Sequence, residues 1–76
     1  MTSLDELIRE RDQALLSLDA HEIKTFMRRW NIRIPEDDRE FWKIVRNALE
    51  KIGAPGKLLR TAEIRMQYAS RRNAKG

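Results

Sequence analysis

His21 is the only histidine in the chain, and there is no cysteine. A zinc centre draws on imidazoles and thiolates in sets of three or four, and a serine or cysteine nucleophile needs a base beside it. One imidazole supplies neither, and its place in the first turn of an expected helix marks His21 as a solvated surface residue. The run Glu36-Asp37-Asp38 is the densest group of hard oxygen ligands, but it lacks the alternating spacing of a calcium loop. Carboxylates there suit the positive end of a helix dipole. We therefore expect no catalytic residue, no bound metal, no cofactor and no small-molecule substrate: the chain is expected not to be an enzyme.

The cations are more informative. With residues about 100° apart, Leu58, Leu59, Ala62, Met66 and Ala69 share one arc of a helix expected from about Gly56 to Ser70, and form its core stripe. Lys57, Arg60, Arg65, Arg71, Arg72 and, if the helix runs on, Lys75 gather on the other side. Ile64 and Tyr68 lie among them, and only Glu63 interrupts with opposite charge. Cations interleaved with an aromatic are what phosphate contact and base packing require. Arg39, Lys43 and Arg46, at i, i+4 and i+7 of the preceding helix, add a second basic stripe, although Glu50 is placed to pair with Arg46. The plainer account is a solvated face that keeps a small helix soluble. A helix, a short turn and a basic helix also suggest a helix-turn-helix, for which the first helix is long.

Other residues fit contact with protein. Leu16 falls off the main stripe of the first helix, and with Ile64 and Tyr68 it is a candidate for an exposed apolar docking patch. Arg11 sits among leucines at helical spacing, where its methylenes pack at the core edge while its head reaches water or an acid. Trp30, Phe41 and Trp42 lie on apolar stripes and are expected in the core.

These groups are carried by a chain of 76 residues with 16 basic and 12 acidic side chains, a net charge of +4. Residues 1 to 38 hold 6 basic and 9 acidic groups, residues 39 to 76 hold 10 and 3. Such asymmetry suits a polyanionic or acidic partner. No apolar run approaches the roughly 20 residues that cross a bilayer, so a membrane role is not expected and the cytoplasm is the expected location.

Apolar residues recur at helical spacing throughout, which predicts four helices. Ser3 and Glu6 make a capping box for the first, which carries Leu4, Leu7, Ile8, Ala14, Leu15 and Leu18 on one side and ends near Ser17. Asp19 caps the second, with Leu18 able to staple onto Ile23 and with Ile23, Phe26, Met27 and Trp30 on one stripe. Asn31 stops it. Ile32 and Ile34 alternate before Pro35 and are expected to point inward. The third helix starts between Pro35 and Asp38, capped by Asp37, and buries Phe41, Trp42, Val45, Ala48, Leu49 and Ile52. Gly53-Ala54-Pro55-Gly56 then breaks the chain before the fourth.

The stretch from Phe26 to Trp42, with Pro35-Glu36 followed by Phe41-Trp42, resembles a group of small uncharacterised bacterial proteins met near mobile elements. The resemblance implies a bacterial or phage source and transfers no active residue.

The expected fold is all-α: one domain over residues 1–76, a compact bundle of four short helices with an N-terminal helical hairpin and a frayed basic tail at 71–76. Its core draws on Leu7, Leu15, Leu18, Ile23, Phe26, Trp30, Phe41, Val45, Leu49, Leu58 and Met66. So small a core makes self-association a reasonable expectation. The expected function is a non-catalytic protein-interaction or assembly module. The alternative is a nucleic-acid-binding accessory protein working through the basic C-terminal helix.

Overall fold

A computed structural model describes residues 3–75, with side chains for residues 4–69. The fold is all-α: α1 (Ser3–Ser17), α2 (Ala20–Arg29), α3 (Asp38–Lys51) and α4 (Gly56–Lys75). The chain divides into two compact units, residues 1–34 and 35–76, and each holds one pair of packed helices.

In the first unit the reversal between α1 and α2 takes two residues. Leu18 adopts a left-handed φ of 55°, which places its N–H 3.2 Å from the Leu15 carbonyl. The Ser17 hydroxyl accepts from the Asp19 N–H at 3.2 Å and donates to the Ala14 carbonyl at 2.6 Å. That hydroxyl relays the bond that a Schellman turn would make directly from the second residue past the cap. Asp19 then caps α2 by accepting from the His21 N–H at 2.9 Å. Helix α2 ends in a full Schellman turn. Asn31, at φ 59°, donates to Arg28 at 3.2 Å, and Ile32 donates to Met27 at 2.7 Å. Asparagine tolerates this left-handed position better than most residues.

Ala14, Leu15, Ile23 and Met27 form the buried centre of this unit, with Leu7, Leu18, Phe26 and Trp30 half-buried around it. Ala14 and Met27 lie on the apolar stripes but outside the expected core set, and both are buried. Ile32 departs from its expected inward position and is 42% exposed. The Schellman turn spends the Ile32 N–H on the end of α2 and swings the residue clear of the helix. Ile34 is half-buried.

In the second unit Asp37 caps α3 by accepting from the Arg39 N–H at 3.2 Å. Gly53, at φ 74°, closes α3 with a second Schellman turn, its N–H on Glu50 and that of Ala54 on Leu49, at 3.1 and 3.0 Å. The Pro55 carbonyl then accepts the first bond of α4, from Leu58 at 3.0 Å. Contacts between Arg46 and Glu63 and between Trp42 and Arg65 lie on successive turns on either side of Gly53. Helices α3 and α4 therefore run back along each other as an antiparallel hairpin, unlike the steeply crossed pair of a helix-turn-helix.

Phe41, Trp42, Val45 and Leu49 of α3 meet Ala62 and Ala69 of α4, all buried. Large side chains on one helix against alanines on the other bring the backbones close and leave Leu58 and Met66 half-buried at the margins. Phe41 meets the Trp42 ring edge-on, centroids 5.1 Å apart and planes at 79°, a favoured aromatic arrangement. Helix α4 continues to Lys75, beyond the expected end near Ser70.

Candidate interaction surfaces

Of the cations expected on the basic face, the structure separates those engaged within the second unit from those on its surface. Arg46 is engaged. Its guanidinium donates to Glu50 at 2.9 Å and to Glu63 at 3.0 Å, tying α3 to α4. The hydrogen bond to Glu63, followed by the charge of Glu50, holds Arg46 above its ordinary pKa against the opposing effect of burial. Arg46 therefore keeps its positive charge at every pH short of strong alkali.

Arg65 is engaged as well. Its guanidinium lies over the Trp42 ring, 4.9 Å from the centroid, so the cation roofs the aromatic core instead of joining the outward row. Arg39 and Lys43 are exposed on α3, and Arg39 borders an open cleft of about 280 Å³ with Glu63, Met66 and Gln67.

Lys57, Arg60, Ile64 and Tyr68 remain on the outward side of α4, opposite buried Ala62 and Ala69. Ile64 is 44% and Tyr68 61% exposed. Among the described residues neither Lys57 nor Arg60 enters an ion pair with an acid. The same helical register brings positions 71 and 75 onto this row and position 72 beside it; the side chains of Arg71, Arg72 and Lys75 lie outside the described residues. The interruption expected from Glu63 is largely cancelled, because Arg46 holds that carboxylate.

The apolar candidates fall in different units. Leu16 is exposed on α1, whereas Ile64 and Tyr68 are exposed on α4. Each is a surface residue of its own hairpin.

Sequence reasoning missed a second surface. Leu4 and Ile8 continue the stripe of buried Leu15, yet they are 63% and 40% exposed, with Leu7 half-buried between them. The cause is a difference in length: α1 has 15 residues and α2 only 10. At about 1.5 Å per residue, α2 is too short to cover the first two turns of α1. The end of α2 is fixed at the middle of α1, where Glu10 accepts from the Trp30 indole at 3.1 Å and pairs with Arg29 at 3.2 Å. Comparing the distance from Asp19 to Asn31 with that from Ser3 to Ser17 would have revealed the overhang. Ile44, exposed on α3, was likewise not singled out.

Arg11 is half-buried at the core edge and paired with Asp12 at 3.0 Å, and His21 is exposed. No helix is long and apolar enough to cross a membrane, among the described residues. No protein-family model, curated protein or solved structure matches the chain.

Proposed function

We propose that this chain is a non-catalytic protein-interaction module whose docking surface is the overhanging stripe Leu4, Leu7 and Ile8 of α1. One observation carries the reading: these three residues continue a core stripe past the point where its intramolecular partner ends. An apolar helix face in that position is suited to a second helix bearing its own apolar stripe. Such a partner would extend the packing that α2 begins.

Magnitudes set the kind of contact. Burying a leucine or isoleucine side chain contributes about 1.5–3 kcal/mol, and part of that is already realised for Leu7. Association costs roughly 4–15 kcal/mol in lost freedom of motion. Three side chains therefore support a weak, transient contact, or a firm one only if the partner also covers neighbouring surface.

Site-specific photocrosslinking in cells tests the reading. A photoreactive side chain at position 4 or 8 is expected to give one recurrent protein adduct, while the same group at position 44 does not. Leu7→Asp should abolish the adduct. Adducts spread evenly over all three positions, or none at 4 and 8, would refute a docking role for α1. An adduct with the mass of two chains would identify a second copy as the partner.

A further inference from the structure

The outward face of α4 has an organisation that solubility alone does not require. Lys57 and Arg60 stand at its N-terminal end, and positions 71 and 75, an arginine and a lysine, repeat the pair at its C-terminal end. Ile64 and Tyr68 occupy the centre, both exposed. On a helical wheel all six residues fall within an arc of about 80°, with no acid among them. From the midpoint of the first pair to that of the second is about 22 Å along the axis at 1.5 Å per residue. The face thus bears two basic ends and a short apolar-aromatic middle.

The two structural units differ in charge in the same direction. The first holds six basic and six acidic residues, while the second holds ten basic and six acidic, so the entire net charge of +4 belongs to the unit that contains α4. Within that unit Arg46 engages Glu63, the one acid of α4.

We propose that the outward face of α4 binds duplex DNA across the major groove, its two basic ends on the phosphates of opposite strands and Ile64 and Tyr68 toward the base edges. The B-form major groove is about 12 Å wide and admits an α-helix. Ends about 22 Å apart meet both phosphate rims when the helix crosses that opening. An apolar and an aromatic side chain in the middle suit thymine methyls and base edges. A-form RNA is disfavoured because its major groove is too deep and narrow for a helix. A membrane surface is disfavoured because two apolar residues between cations make too small a face to insert. This surface and the α1 stripe share no residue, so either proposal can fail alone.

Fluorescence anisotropy of a labelled 20-base-pair DNA duplex with the full chain tests the proposal, beside an RNA duplex of the same sequence and anionic phospholipid vesicles. DNA should bind at low salt and the RNA duplex roughly tenfold or more weakly. Four phosphate contacts predict a slope of roughly −3 to −4 in log affinity against log salt. Lys57→Glu with Arg60→Glu should weaken binding roughly tenfold or more and flatten that slope. Ile64→Ala with Tyr68→Ala should weaken it a few-fold at unchanged slope, a separation that mere charge attraction would not produce. Circular dichroism establishes that each variant keeps its helices. Equal affinity for DNA and RNA, preference for vesicles, or indifference to the change at positions 57 and 60 would overturn the proposal.

Discussion

The hairpin of α1 and α2 and the hairpin of α3 and α4 solve the same problem with different materials. In the second, three bulky side chains, Phe41, Val45 and Leu49, are almost wholly removed from solvent, and alanines on the facing helix admit them. In the first, α2 stops short of the first turns of α1, no large side chain is as completely enclosed, and the end of α2 is held by a polar contact, Glu10 with Trp30 and Arg29. One hairpin uses its apolar surface to hold itself together. The other leaves part of that surface uncovered and therefore available to a partner.

The contrast can be broken experimentally, beginning where the effect should be largest. Leu49→Ala removes a fully enclosed side chain and should cost about 3 kcal/mol in denaturant unfolding, whereas Leu7→Ala should cost less than half of that. Equal costs would remove the distinction between the hairpins. Ala62→Leu places three extra carbons where the α3 and α4 backbones approach and should cost about 1–3 kcal/mol by overpacking. A neutral result would mean that the alanine face has room.

Changes at single polar or backbone positions should have smaller effects. Glu10→Ala leaves the half-buried Trp30 indole without its acceptor and should cost about 1 kcal/mol, with faster amide exchange confined to α1 and α2. Gly53→Ala should also cost about 1 kcal/mol. A methyl group there meets nothing within 4 Å, so the whole effect is backbone strain at φ 74°. Arg46→Ala should leave the denaturant midpoint nearly unchanged, since its pairs are largely surface pairs.

The sequence carried the helix ends well because they are local. Asp19, Asp37, Asn31 and Gly53 each act within a few residues of where they stand, and each was legible from residue type and neighbours. The left-handed Leu18 was not, because leucine has no preference for that conformation; the Ser17 hydroxyl and the packing of two helices impose it. Leu4 and Ile8 misled for another reason. Periodicity states which side of a helix is apolar, not whether a partner extends far enough to cover it. The basic face was legible as a set of cations, but its division was not. That Arg46 engages Glu63 and Arg65 covers Trp42 depends on the pairing of α3 with α4, which brings together residues 17 and 23 positions apart.

The two tryptophans, the only ones in the chain, are divided one to each hairpin. Trp30 is half-buried with its indole hydrogen-bonded to Glu10, and Trp42 is buried against Phe41 beneath Arg65. Their different surroundings give each hairpin its own optical reporter. Trp30→Phe and Trp42→Phe would yield two proteins with a single emitter apiece, in which the loosening of one helix pair can be followed in real time without any added label.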